Sequence, residues 1–144
     1  MRYPTAMSLV PWMDPSYQIN IAQAAERNAD FRRVLHTGER TQLVVMSIPP
    51  NGDIGAETHR HVEQLIFVQS GHGVAILGVE KRPVRAGDVV VVPPGVRHNL
   101  LNVANVPMKL YTVYSPPNHI DGRVHQTRAD ADADVADEEF GRRV

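Results

Sequence analysis

The chain has 144 residues, enough for one domain that buries roughly two-thirds of its unfolded surface. It contains no cysteine, which excludes disulfides and thiolate metal ligation and leaves His, Asp, Glu or amide oxygen to hold any metal. Fifteen Lys and Arg against sixteen Asp and Glu give a net charge of −1, offering neither a basic field for nucleic acid nor a polybasic patch for anionic lipid.

The amino terminus, Met1-Arg2-Tyr3-Pro4, lacks the apolar run of a signal peptide, and no stretch approaches the length of a bilayer span. A cytoplasmic protein is expected. Residues 1–28 read as an arm, with Pro4, Pro11 and Pro15 around Trp12 and Met13, followed by Asn20 as the cap of a short helix, Ile21 to Asn28. From Phe31 the texture changes to short apolar runs: Phe31–Leu35, Gln42–Ile48, Gln64–Gln69, Val74–Leu77, Asp88–Val92, Val96–Asn102 and Met108–Tyr114. Breaks fall at Pro49-Pro50-Asn51-Gly52-Asp53, Gly71-His72-Gly73, Ala86-Gly87, Pro93-Pro94-Gly95 and Pro116-Pro117. Many β-branched runs at this spacing predict an all-β antiparallel sandwich or barrel over residues 29–116, rather than alternating strand–helix units. Residues 117–144 turn polar, and Ala129–Glu139 reads as a solvated acidic helix or tail.

Three of the seven histidines fall in two segments with a shared logic. His59 and His61 are two apart, so on an extended strand both imidazoles project from one face and can converge on one ion. In the second segment, Gly87-Asp88-Val89-Val90-Val91-Val92-Pro93-Pro94-Gly95-Val96-Arg97-His98, an apolar strand ends in a Pro-Gly turn, and a histidine opens the next strand. A barrel would deliver His98 opposite the first pair.

At these residues the chain resembles the cupin superfamily. Gly87, Pro93, Gly95, His98 and Asn102 satisfy every fixed position of that family's second motif, G-x5-P-x-G-x2-H-x3-N. Its first motif, G-x5-H-x-H-x3,4-E-x6-G, is met by His59, His61 and Gly71. Gln64 stands seven before Gly71 in the carboxylate's place, after two residues from His61 rather than three or four, and Gly52 and Gly55 are candidates for the displaced opening glycine. The resemblance covers roughly residues 31–115. It implies a small single-domain cupin, a jelly-roll-like double-stranded β-helix, with one divalent metal (Mn, Fe, Ni or Zn) on His59, His61, His98 and the amide oxygen of Gln64. Glu63 is the competing carboxylate. Adjacent strand residues point to opposite faces, so Glu63 and Gln64 cannot both face the ion without a bulge, and counting back from Gly71 favours Gln64.

An all-neutral ligand set would leave the metal's charge uncompensated and strengthen it as a Lewis acid. The expected function is therefore a metal-dependent enzyme on a small sugar-like, keto or carboxylate compound, with isomerase or lyase chemistry preferred. A metal-dependent dioxygenase and a non-catalytic small-molecule sensor are the alternatives. Tyr111 and Tyr114 are candidate proton relays, with packing in the sheet as the competing role. His72, His119 and His125 are expected in solvent, as are Arg32 and Arg33, one of which could instead meet an anionic substrate. Burying the Trp12-Met13 arm across a partner barrel predicts a homodimer.

Overall fold

The computed structural model describes residues 16–144. Its order is α1 (Ile21–Arg27), β1 (Arg32–Thr37), β2 (Gln42–Ile48), β3 (Glu63–Ser70), β4 (His72–Leu77), β5 (Glu80–Arg85), β6 (Val89–Val92), β7 (His98–Asn102), β8 (Met108–Ser115), β9 (Val124–His125), α2 (Arg128–Ala133) and α3 (Val135–Arg143). All named strand pairs are antiparallel. They form a six-stranded sheet, ordered β6-β3-β8-β2-β1-β9, and a three-stranded sheet, ordered β5-β4-β7. This is the antiparallel two-sheet fold that the spacing of apolar runs predicted, and the double-stranded β-helix that the resemblance implied. The Trp12-Met13 arm lies outside the described residues.

Period-two burial places the core between the sheets. On β3, Gln64, Ile66 and Val68 turn inward; on β8, Met108, Leu110, Thr112 and Tyr114 do; on β7, His98, Leu100 and Asn102 do. Each fully buried Leu, Ile or Met contributes roughly 1.5–3 kcal/mol. The strand β2 departs from alternation, with Val44 to Ile48 buried throughout. Helix α1 packs against β2, β3 and β8 and covers the second face, with Ala25 fully buried beneath it. Asn20 caps that helix as expected, accepting from the Gln23 amide at 3.0 Å.

Two elements lay beyond the apolar-run reading. The strand β5 is Glu80-Lys81-Arg82-Pro83-Val84-Arg85, with only Val84 buried. It is a sheet edge, and charge and proline are what an exposed edge tolerates. Residues 117–144, expected as a solvated polar tail, instead add β9 to the large sheet beside β1 and then fold back as two helices. Thr127 and Asp130 form a reciprocal capping box at the start of α2.

The closing asparagine of the second motif has a structural role. The buried amide of Asn102 donates to the carbonyls of Ile48 (3.0 Å) and Val106 (2.8 Å), and its oxygen accepts from the Ala104 N–H (2.9 Å). It ties β7 to the end of β2 and to the turn before β8. Asn102→Ala strands these backbone groups in the interior and should cost about 3 kcal/mol or more in urea unfolding. A loss below about 1 kcal/mol would contradict this role.

Candidate metal centre

The site is assembled by backbone pairing between two distant stretches. Residues 53–57 run beside β7 through antiparallel bridges Asp53↔Leu101 and Glu57↔His98. The Glu57 N–H donates to the His98 carbonyl and the His98 N–H to the Glu57 carbonyl, each at 2.9 Å. Alternation along this extended stretch sends Glu57 and His59 the same way. The Gly95 N–H then donates to the His59 carbonyl at 2.7 Å, which fixes the stretch against the Pro93-Pro94-Gly95 turn. Gly95 sits at φ +82, a conformation that suits glycine and lets the chain double back toward His98.

One ligand atom each from Glu57, His59 and His98 lie within 4.8 Å of one another. The His59 and His98 rings are 5.2 Å apart, and His59 Nε2 is 3.2 Å from Glu57 Oε2. The His98 Nδ1 is 3.0 Å from the Val96 carbonyl; an N–H there donates and leaves Nε2 with its lone pair. That Nε2 is buried without a hydrogen-bond partner, while His59 Nε2 is buried facing the Glu57 carboxylate. Gln64, 3% exposed, donates from Nε2 to Thr112 Oγ1 at 3.0 Å, and its buried Oε1 is likewise unpartnered. Buried acceptors without donors are rare in folded proteins. Here two of them, His98 Nε2 and Gln64 Oε1, belong to ligand-type groups turned into one domain, and His98 clusters with His59 and the Glu57 carboxylate; this donor set suits a divalent metal.

The expected set of four is thus rearranged. His59, His98 and Gln64 are turned inward, whereas His61 is exposed and stands outside the cluster. The chain bends at Arg60 and His61, so the alternation expected to carry His61 beside His59 is interrupted. It resumes with Val62 and Gln64 inward and Glu63 exposed. Glu57, rather than His61, stands with His59 and His98, so this group includes a carboxylate. The motif spacing itself holds the missed signal. Counted back from Gly71, every interval is kept if Gln64 stands for the glutamate, Glu57-Thr58-His59 for His-x-His, and Asn51 for the opening glycine. Asn51 has φ 61, a left-handed conformation that asparagine tolerates better than most residues.

Tyr114 is buried on the inner face, edge-on to His59 (centroids 6.0 Å) and to His119 (5.0 Å). Tyr111 points to the other face of β8 and stacks on Phe67 at 4.8 Å, which removes it from the site. Of the residues expected in solvent, Arg33 is exposed, but Arg32, His119 and His125 are buried. Arg32 and His119 line a cavity of about 600 Å³ together with Glu57, His59 and Asp137, and α2 and α3 complete its wall. His119 Nδ1 lies 2.8 Å from Asp137 Oδ2, while the other carboxylate oxygen accepts from the Ile120 N–H at 2.7 Å. His119 Nε2 is buried with no partner.

The electrostatics are consistent with these pairings. Burial lowers the His98 and His119 pKa values, keeping both imidazoles neutral. Burial alone would raise Glu57 and Asp137, but His59 and Arg32 beside the former, and the His119 hydrogen bond to the latter, hold both below the ordinary carboxylate range. Burial raises Tyr114, so its hydroxyl keeps its proton. His125, Asp134 and Asp137 form a second group of possible ligands, but Asp134 already binds Arg123 Nε (2.7 Å) and Nη2 (3.0 Å) and His125 Nε2 (2.9 Å). That group is a clamp holding α3 to the segment before β9.

The folded pKa values of Asp137 and Asp134 lie below the ordinary carboxylate value, and that of His119 lies below the ordinary imidazole value. Their contributions are therefore complete above those ordinary values and are lost as pH falls through the folded ones. Thermal melts should show Tm dropping from neutral pH toward pH of about 4. Asp137→Asn should lower Tm at neutral pH and flatten that slope; a Tm that rises on acidification would contradict the pairing.

Comparison with known proteins agrees with the fold. A family model described as "Cupin domain" matches residues 44–114. An uncharacterised protein of Bacillus subtilis, YrkC, is 41% identical over 121 residues, covering 80% of this chain and 65% of its own length, so the chain spans just under two-thirds of that relative. The mimivirus protein L612 is 34% identical, over 78% of this chain and 72% of its own. The crystal structure of BH2720 from Bacillus halodurans superposes with a TM-score of 0.82 at 37% identity, covering 83% of this chain and 96% of that one. With the motif intervals, the sheet order and these relatives in agreement, the chain belongs to the cupin family.

Proposed function

We propose that this cupin is a metal-dependent enzyme acting on a small oxygenated molecule, by isomerase- or lyase-type chemistry. The observation that carries the metal is the cluster of Glu57, His59 and His98, with ligand atoms within 4.8 Å of one another and His98 Nε2 buried without a partner, in a domain whose inner face also holds the unpartnered Gln64 Oε1. Those four residues would hold the ion. A divalent metal there supplies Lewis acidity toward a carbonyl or carboxylate oxygen.

The chain's own residues supply the proton chemistry. His119 is neutral, its Nδ1–H is held by Asp137, and its Nε2 is free to accept a proton from a substrate in the shared cavity. Asp137 then stabilises the imidazolium, and Tyr114, packed against both His59 and His119, fixes the orientation of each ring. A neutral, oriented base beside a Lewis-acid centre is what enolisation or elimination requires. The preference for isomerase or lyase chemistry therefore rests on this His–Asp pair rather than on a neutral ligand set. A second reading follows from Glu57: two imidazoles and one carboxylate form the donor type that suits non-haem Fe(II) dioxygenases. A metal-dependent dioxygenase is thus the alternative for the same site.

The absence of cysteine, and of any described helix long and apolar enough to cross a membrane, is compatible with a cytoplasmic setting. We also propose a homodimer. Val89 and Val91, each 49% exposed, lie on β6, the edge strand of the large sheet, and would be covered by a second copy.

Mass-spectrometric metal analysis of protein purified without added metal should find close to one ion per chain. Glu57→Ala and His98→Ala should each lose more than roughly tenfold in metal affinity, a loss seen even for outer-shell partners. His61→Ala should retain the ion; loss of metal in that variant would restore the expected histidine pair. Turnover of candidate keto or carboxylate compounds should persist without oxygen and vanish in a metal-retaining His119→Asn variant, whereas strict oxygen dependence would establish the dioxygenase reading. Size-exclusion chromatography with light scattering should give the mass of two chains, and a stable monomer would remove the dimer.

A further inference from the structure

Arg32 is the largest unexplained charge in the molecule's interior. It sits on β1 with its side chain turned inward, 6% exposed, while its neighbour Arg33 points outward and pairs with Asp30 at 3.3 Å. A guanidinium cannot shed its proton to suit its surroundings, so a buried one needs a carboxylate, a phosphate or a set of carbonyls. Among the described residues Arg32 forms no salt bridge, and its Nε is buried with no hydrogen-bond partner. The Phe31 ring, 5.4 Å from the guanidinium carbon, backs the group without neutralising it, and Arg32 stands near enough to Glu57, Asp137 and Tyr114 to pull the pKa of each downward without forming an ion pair.

Asp137 and Glu57, two of the four carboxylates that line its cavity, are committed elsewhere. Asp137 spends one oxygen on His119 and the other on the Ile120 N–H. Glu57 belongs to the proposed ligand set, where its charge faces the ion. The side chains lining the cavity cancel, Arg32, Arg60, Arg128 and Arg142 against Glu57, Asp132, Asp137 and Glu138, so a divalent ion in place would leave a surplus of two positive charges. That surplus lies in a chamber of about 600 Å³, within the size range of small-molecule sites.

We propose that Arg32 is the anchor for the carboxylate of a small anionic substrate, whose other end lies toward Glu57, His59 and His98. The inference rests on the metal-enzyme reading and narrows it, from an oxygenated molecule to a small carboxylic acid. The free Nε–H beside a terminal amino group is the geometry that grips a carboxylate through two parallel hydrogen bonds. His119 lines the same chamber, so an acid held at Arg32 presents its remaining atoms to that free Nε2.

The test uses binding, not turnover. Full-length protein as purified is titrated with succinate and lactate, and in parallel with their uncharged amides, succinamide and lactamide, while NMR follows the Arg32 Nε–H resonance. The acids should shift that resonance and bind roughly tenfold or more tightly than the amides, the discrimination expected of a charge-assisted pair. Arg32→Gln should lose that preference, and Arg32→Lys should retain part of it. Equal binding of acid and amide to the wild-type protein, or an unmoved Nε–H resonance, would overturn the proposal even if Arg32→Gln fails to fold. Metal content measured on the same preparations separates the two ideas. Protein that prefers the acids through Arg32 yet takes up no metal keeps the anchor and loses the metal enzyme; protein that takes up metal yet treats acid and amide alike does the reverse.

Discussion

The reciprocal backbone pair between Glu57 and His98, two N–H···O bonds of 2.9 Å, governs the arrangement of the interior. These residues are 41 positions apart, the difference of their numbers, and come from different motifs. Because the bonds join their main chains, the positions of both side chains follow from strand geometry rather than from side-chain choice. His59 is set by alternation from Glu57, and its carbonyl is fastened to Gly95 at 2.7 Å. The same turn leads through Val96, whose carbonyl orients the His98 ring. A ligand sphere placed this way is built before any ion arrives, which lowers the ordering cost of binding.

Around that pair the protein surrounds neutral, lone-pair-bearing acceptors with a graded set of charges. His98 and His119 are kept neutral by burial, Glu57 and Asp137 are kept ionised by their partners, and Arg32 has no other state. Pushing neighbouring groups in opposite directions assigns roles within one chamber. A carboxylate and two imidazoles face the proposed ion, a third imidazole is free to take a proton, and a cation faces an anion. The carboxy-terminal helices belong to this scheme, since Asp137 of α3 orients His119 and the clamp at Asp134 holds the helix in place. Removing them would take away a wall of the site.

Most of the fold was legible because strands carry short-range information. Alternating burial and turn residues at Gly71, Ala86-Gly87 and Pro93-Pro94-Gly95 located the major strands, and β2 has the bounds expected of it, Gln42–Ile48. The strand β5 was hidden because an exposed edge has no apolar face to display. His98 and Gln64 were singled out by motif spacing, and both are turned inward while Glu63 is exposed. Glu57 was not singled out, because two histidines in His59-Arg60-His61 imitate the motif's own pair and draw the register two residues late. The bend at residues 60–61 and the positive φ of Asn51 at the glycine position favour the earlier register. Arg32, His119 and Asp137 were illegible for another reason: their burial depends on segments far apart in the chain, and local polarity points to solvent.

The central claim is that Glu57, His59, Gln64 and His98 form one coordination sphere from which His61 is absent. X-ray absorption at the metal edge of the protein as purified tests it most directly. The account predicts a sphere of nitrogen and oxygen donors with the multiple-scattering signature of two imidazoles, unchanged in His61→Ala. A three-imidazole signature that drops to two in that variant, or no bound metal at all, would contradict it.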